Sequence, residues 1–109
     1  MQDLIIGIRE NVKKLRDAIE SRNQTAINRA KAEYKYRSSL GRAMAEAKMD
    51  GMAATALYDY CRGLDEIARL RANRDILESQ ENYYTELIYY YRTEIRIAEG
   101  MMNAERKGM

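Results

Sequence analysis

The chain has 109 residues with no histidine, no proline and one cysteine, so Ser-His-Asp or Cys-His catalysis, the usual zinc sites and an internal disulfide are all excluded. Its 19 basic and 17 acidic residues leave a net charge of +2, without the basic excess of a dedicated nucleic-acid module. We therefore expect no enzyme, no catalytic residues, no metal site and no cofactor.

The first predicted helix covers about residues 3–49, with Asp3 as its N-cap. Its first half carries an apolar stripe at helical spacing, formed by Leu4, Ile5, Ile8, Val12, Leu15 and Ile19. After the polar segment 21–25 the pattern resumes with a shift in phase, at Ala26, Ile27, Ala30, Tyr34, Leu40, Met44 and Ala47. Either one long helix contains a stutter or two helices meet at a short break. We favour one helix, since neither glycine nor proline marks a stop.

A break at Asp50-Gly51 should end this helix, because glycine readily terminates helices. A short helix follows over about 54–61. Thr55 is its candidate cap, and Gly63 is expected to end it. Its inward-facing residues should be Leu57 together with Tyr58 or Tyr60.

The third predicted helix covers about residues 64–105 and carries the clearest pattern in the chain. Its seam steps by three and four, which is the 3.5-residue repeat of a helix packed against other helices. The seam consists of Ile67, Leu70, Arg74, Leu77, Glu81, Tyr84, Ile88, Tyr91, Ile95, Ala98, Met102 and Glu105. The short connection makes the two long helices antiparallel neighbours. The predicted fold is an all-α helical hairpin forming one domain, 1–109, that associates with copies of itself into a helical bundle.

Tyrosine is the only aromatic residue type, with nine copies, and most of them lie on the third helix. Tyr84 and Tyr91 fall in the seam, while Tyr83 and Tyr90 form a second stripe beside it and Tyr89 points elsewhere. One interpretation is a tyrosine-lined oligomer interface. The other is a stacking platform for a base, with arginines that hold phosphate. The candidate ligand-binding residues are Tyr83, Tyr89, Tyr90, Arg92, Arg96 and Arg71.

Two further clusters are rich in basic residues, one interleaved with tyrosines and the other formed by Arg62, Arg69, Arg71 and Arg74. Tyr34-Lys35-Tyr36-Arg37, followed by Arg42, is either a solvated helix face with Tyr34 inward or a track for a phosphate backbone. The second cluster, at 62–74, includes Arg74 on the seam itself, where a charge must be paired. We expect its partner to be a carboxylate of the first helix, such as Glu33, or of another subunit, because Asp75 should face away. An anion site is the alternative.

The central part of the sequence resembles a family of small helical proteins from phages and prophages of Gram-positive bacteria, often encoded among early or recombination genes. The resemblance is carried by Arg62-Gly63, Asp65-Glu66-Ile67-Ala68, Leu70-Arg71, Arg74-Asp75 and Glu78, and extends to Asp3-Leu4-Ile5, Ala32 to Tyr34, and Glu94-Ile95-Arg96 with Ile97 and Glu99. The chain departs from the family pattern at Leu64, where Asp is usual, and in its tyrosine-rich segment 83–91.

This resemblance implies a phage accessory protein that acts by binding. We expect a non-enzymatic counter-defence protein that sequesters a nucleotide-derived signalling ligand of the host. The alternatives are an inhibitor that contacts a host defence protein, or a recombination accessory that binds single-stranded DNA. The expected partners are thus a second copy of the chain and a nucleotide-type ligand or host protein. The sequence shows neither a secretory core nor an apolar run of about 20 residues, which predicts the host cytoplasm and no membrane.

Overall fold

The computed structural model describes residues 1–108. Within them the chain forms three helices and no strand: α1 covers Gln2–Met49, α2 covers Ala54–Arg62 and α3 covers Asp65–Gly108. α1 packs against α3, and α2 lies between them in the chain, so the predicted all-α helical hairpin is confirmed. Good helix formers and the absence of proline allow helices of 48 and 44 residues.

The end of α1 is a Schellman motif built around Gly51. The Gly51 amide donates to the Lys48 carbonyl (3.1 Å), and the Met52 amide donates to the Ala47 carbonyl (3.0 Å). Gly51 has a φ of 92°, a left-handed conformation that a residue with a side chain rarely adopts. The predicted terminator is therefore the residue that ends α1.

Two of the predicted helix caps are wrong. α1 already begins at Gln2, which places Asp3 inside its first turn, where a carboxylate still complements the helix dipole. α2 follows Ala53 as its N-cap without any side-chain hydrogen bond, so Thr55 does not cap it. Both errors concern one or two residues at a helix end, and helix boundaries are difficult to place more accurately than that.

The inward face of α2 also differs from the prediction. Leu57 is buried as expected, but its companion is Cys61, which is completely inaccessible to solvent. Tyr58 and Tyr60 are both exposed. Leu57 and Cys61, four residues apart, lie only about 40° apart around the helix, whereas Tyr58 and Tyr60 lie about 80° to either side of the midpoint between them. A helix of nine residues has room for this single inward stripe.

α1 is continuous through 21–25, and its packed face follows one repeat rather than two phases. The buried and half-buried positions along it include Leu4, Ile8, Asn11, Leu15, Ala18, Thr25, Ala32, Tyr36 and Leu40. The predicted members Val12, Ile19 and Ile27 are instead exposed. The predicted Leu4, Ile8, Leu15 and Leu40 do lie on the packed face, but polar residues occupy other positions of it and several strongly apolar residues lie beside it, so hydrophobicity alone identified only part of this face.

Tyr36, and not Tyr34, is the inward tyrosine of its cluster. Tyr34 is 75% exposed, while Tyr36 is 5% exposed and belongs to the main core cluster. A shift of two residues turns a side chain by about 200° around a helix, so the two rings point to nearly opposite sides. The interpretation of Tyr34 as the inward residue is wrong.

The α3 seam follows the prediction. Every position of the repeat from Ile67 to Met102 is buried or half-buried, and only its last member, Glu105, is exposed. Ile67 and Ile88 are the most deeply buried of these side chains. The 3.5-residue spacing keeps the same face of a long helix against a neighbouring helix, which explains why the pattern could be identified without coordinates.

Contacts divide the chain into two compact units. Unit 1 is Met1–Gln24 with Gln80–Met109, and unit 2 is Thr25–Ser79. In unit 1 the N-terminal amine lies 3.3 Å from Glu105, and Arg22 Nε donates to Thr85 Oγ1 (2.8 Å), so α1 and α3 run antiparallel there. The core cluster of unit 2 consists of Tyr36, Leu40, Cys61 and Ile67.

Candidate functional site

An open groove in unit 2 brings together side chains from all three helices. It has a volume of about 440 Å³, and tyrosine rings and arginine side chains dominate its wall. We call it the Tyr–Arg groove; its lining residues are Glu33, Tyr36, Arg37, Leu40, Gly41, Met44, Tyr58, Arg62 and Arg74. Ligand sites in proteins are usually concave surfaces of this size that combine apolar walls with a few converging polar groups.

Helix periodicity explains which residues of α1 reach the groove. Glu33, Tyr36 or Arg37, Leu40 and Met44 follow one another at spacings of three and four, so they share one side of the helix. Tyr36 and Leu40 also belong to the core, which anchors the groove floor. Gly41 carries no side chain, which leaves this part of the wall open.

The second wall comes from α2, which contributes two residues one helical turn apart. The Arg62 guanidinium carbon lies 5.2 Å from the centroid of the Tyr58 ring, within the range of a cation–π interaction. α2 is held by its buried Leu57 and Cys61, so the exposed Tyr58 is carried on an anchored helix. This pair presents a ring and a cation to the groove together.

Arg74 of α3 forms the third wall and is the most connected side chain of the groove. Its Nη1 donates to Glu33 (3.1 Å), and its Nη2 and Nε donate to Asp75 Oδ1 (2.9 and 3.1 Å). Its guanidinium carbon also lies 4.7 Å from the Tyr36 ring centroid. The hydrogen bond to Asp75 and the nearby carboxylates raise the pKa of Arg74 above its ordinary value. The predicted partner Glu33 is confirmed, but the expectation that Asp75 faces away is wrong, because the long Arg74 side chain folds back along α3.

Glu33 connects two arginines of the groove, Arg37 and Arg74. It accepts a hydrogen bond from Arg37 on α1 as well as the one from Arg74. The hydrogen bond from Arg37, together with Arg74, holds the pKa of the Glu33 carboxyl below its ordinary value. One carboxylate therefore neutralises part of the charge of two arginines.

Glu33→Gln is expected to make the protein less sensitive to acid. A carboxyl with a lowered folded-state pKa stabilises the fold fully above its unfolded value, 4.5, and loses that contribution as the pH falls through the lower folded value. Thermal melts from about pH 7 to about pH 3 should show a smaller loss for the variant than for the wild type below about pH 4.5. An identical acid dependence of the two proteins would show that the Glu33 carboxylate is not held by these arginines.

Arg62 differs from the other arginines of the groove. Among residues 1–108 it forms no ion pair, and its Nε is buried without a hydrogen-bond acceptor. A buried donor without an acceptor costs about 1–3 kcal/mol, and an oxyanion is the strongest acceptor for a guanidinium. Because Arg62 lines the groove without the carboxylate partner that Arg37 and Arg74 have in Glu33, it is the best candidate in the groove for holding an anionic group.

The residues predicted from the tyrosine-rich segment do not converge on one site. Tyr89, Arg92 and Arg96 share one side of α3, and all three are exposed. Tyr83 and Tyr90 are exposed on a different side, about 100–120° away, where each ring lies edge-on to its seam neighbour, at centroid distances of 5.5 and 5.4 Å.

The sixth predicted residue, Arg71, is half-buried and belongs to unit 2, but it does not line the Tyr–Arg groove. Sequence reasoning named Tyr36, Arg37, Arg62 and Arg74 in two separate clusters without joining them, and it missed Tyr58 as their neighbour. The four-residue spacing of Tyr58 and Arg62 was a usable signal. The meeting of α1 with α3 at Glu33 and Arg74 depends on helix register, which spacing within one helix does not reveal.

The structure thus defines an all-α helical hairpin with a basic and aromatic groove between its helices. No group of acidic, histidine or cysteine side chains within residues 1–108 is arranged to hold a metal ion. No helix in the same range is long and apolar enough to cross a membrane. No family model matches the chain, and neither a curated protein nor a solved structure is found to match it.

Proposed function

We propose that this protein is a non-enzymatic phage accessory protein that binds and sequesters a nucleotide-derived signalling ligand of the host in the Tyr–Arg groove. The observation that supports the proposal most directly is the convergence of two tyrosine rings and three arginines on one groove. The phage setting, and with it the host cell as the place of action, comes from the sequence resemblance.

The chemistry of the groove matches the two parts of a nucleotide. The exposed Tyr58 ring and the guanidinium of Arg62 offer flat surfaces on which a base can stack, an interaction worth roughly 1–3 kcal/mol per base. Arg62 and Arg37 offer charge-assisted hydrogen bonds to phosphate oxygens. Together these terms are sufficient for a dissociation constant in about the micromolar range.

The charge distribution favours a small ligand over a nucleic-acid strand. Arg37, Arg62 and Arg74 line the groove, but Glu33 lies between two of them. Tracking a DNA backbone requires a continuous basic surface, whereas the whole chain has a net charge of only +2. A ligand with one to three phosphates needs no such surface.

Calorimetric titration at about 100 μM protein with cyclic and ADP-ribose-type nucleotides tests the proposal, with a short single-stranded DNA titrated in parallel. We expect at least one nucleotide to bind and Arg62→Gln to weaken that binding about tenfold or more. The matched control is Arg69→Gln, since Arg69 is an exposed arginine of the same unit that pairs with Asp65 and does not line the groove.

Tyr58→Ala and Tyr60→Ala form a second matched pair, because both rings are exposed on α2 but only Tyr58 lines the groove. Binding should fall for Tyr58→Ala and remain for Tyr60→Ala. Absence of heat with every nucleotide contradicts the proposal, as does binding of DNA alone with steep salt dependence. A loss of nucleotide binding in Arg92→Gln but not in Arg62→Gln would move the site to the exposed α3 face.

A further inference from the structure

Unit 1 carries two exposed apolar ridges, one on each helix. The α1 ridge is Ile5, Val12 and Ile19, and the α3 ridge is Tyr83, Tyr90 and Ile97. The two tyrosines are 60% and 56% exposed, and Val12, Ile19 and Ile97 are also exposed, while Ile5 is half-buried. Within each ridge the residues are seven apart, so each ridge follows a heptad over two complete repeats.

A heptad-spaced ridge is suited to a helix as its partner. The 3.5-residue period keeps one face aligned with a second helix over many turns, while a flat surface or a small ligand imposes no such period. Both ridges span 14 residues, about 21 Å along a helix axis. Each ridge therefore matches the other in period and in length.

The two ridges are also complementary in shape. Beside the α1 ridge lies an apolar groove of about 360 Å³, lined by Val12, Leu15, Arg16, Ile19 and Glu20. The α3 ridge instead carries two exposed tyrosine rings. The Tyr83 ring makes an edge-on contact with the Tyr84 ring, and the Tyr90 ring makes the same contact with the Tyr91 ring. Large rings on one surface and an apolar hollow on the other are the knobs and holes of helix packing.

Their flanking charges are opposite in sign. On α1, Arg9 and Arg16 each follow a ridge residue by four positions and therefore lie beside it. On α3, Glu86 and Glu94 lie one turn after Tyr83 and Tyr90. Although Glu20 also lines the α1 groove, the two arginines beside the α1 ridge and the two glutamates beside the α3 ridge favour pairing of unlike ridges over pairing of like ridges.

We propose that the α3 ridge of one copy packs on the α1 ridge of a second copy of this chain. The α1 ridge is displaced by one residue towards the C-terminus from the seam positions Leu4, Asn11 and Ala18. The α3 ridge is displaced by one residue towards the N-terminus from Tyr84, Tyr91 and Ala98. One residue corresponds to a rotation of about 100° around the helix axis. Because the two helices run in opposite directions, opposite displacements along the chain rotate both ridges in the same sense for a viewer who looks along the pair. The two seams face each other, so this rotation turns the ridges to opposite sides of the α1–α3 pair in unit 1.

Ridges on opposite sides allow one copy to contact two neighbours at once. The contact is head-to-tail, and such contacts give rings or open chains rather than closed dimers. The side chains involved would bury on the order of 1,000 Å² in total, the size of a weak and reversible interface. We therefore expect the mass to grow with concentration beyond two copies, over roughly 10–500 μM.

The test uses Val12→Glu, which disables the α1 ridge, and Tyr90→Glu, which disables the α3 ridge. Each variant alone should sediment as a monomer, because it lacks one half of the contact. An equimolar mixture should form a one-to-one complex that grows no further, since each variant retains the ridge that the other lacks. Tyr89→Glu is the control, because Tyr89 is 68% exposed on another side of α3 and should leave assembly unchanged.

Circular dichroism and thermal melts establish that all three variants keep their helices before their masses are compared. A wild-type protein that remains monomeric over the whole concentration range overturns the proposal. Self-association of Val12→Glu at wild-type strength also overturns it, because the α3 ridge would then pair with itself. A mixture of the two folded variants that stays monomeric excludes the head-to-tail contact.

Discussion

Replacing Tyr36 by alanine is expected to lower the free energy of unfolding by about 3–5 kcal/mol, the range for removing a large aromatic side chain from a core. Tyr36 is 5% exposed and packs in the cluster with Leu40, Cys61 and Ile67. Its ring also lies against the Arg74 guanidinium, so the substitution removes core packing and a cation–π contact together. Urea unfolding followed by circular dichroism measures the loss.

Tyr34→Ala is the matched control for this experiment. Tyr34 lies only two residues away on α1, yet it is 75% exposed, and its truncation should change stability by no more than about 0.5 kcal/mol. A loss for Tyr34→Ala that equals the loss for Tyr36→Ala would contradict the helix face described for α1.

Arg74→Ala is expected to destabilise the protein by roughly 1–3 kcal/mol, because it leaves Glu33 and Asp75 without a common partner and uncovers the Tyr36 ring. The side chain is half-buried, which keeps the effect below that of a fully buried ion pair. Arg74→Met should be better tolerated, since its unbranched chain fills the same seam position without a charge. Thermal and urea unfolding of both variants provide the measurement.

The control for Arg74 is Arg69→Ala, which breaks a solvent-exposed pair with Asp65. Exposed pairs contribute little, so a change of about 0.5 kcal/mol or less is expected. In a double-mutant cycle, Glu33→Gln should cost less in the Arg74→Ala background than in the wild type. Additive effects would mean that the Glu33–Arg74 contact contributes nothing to stability.

The contrast between α3 and α1 shows which parts of a helical hairpin can be predicted from sequence. In α3 the apolar residues themselves occupy the packed face, so the spacing from Ile67 to Met102 identified the seam without coordinates. In α1 the packed face contains Asn11 and Thr25, while Val12 and Ile19 lie outside it. A pattern search assigns apolar residues to the inside, and it fails where a second apolar surface lies beside the first.

The candidate site was predicted only in its parts. A charged side chain in a seam position needs an ion-pair partner, and this requirement can be recognised from the position of Arg74 alone. It led to the prediction that Glu33 pairs with Arg74. The Tyr–Arg groove required more, since Tyr36, Tyr58 and Arg62 come together only when α2 packs between specific turns of α1 and α3.

By itself the sequence determined the helical class, the break at Gly51, the α3 seam and the exclusion of histidine chemistry. These follow from composition, backbone conformation and spacing within one helix, all of which are local. The tertiary structure decided which face of α1 is buried, which tyrosines are exposed and which arginines share a groove. Those features depend on the rotation and register of one helix against another, and these are set by side-chain packing between residues that lie far apart in the chain.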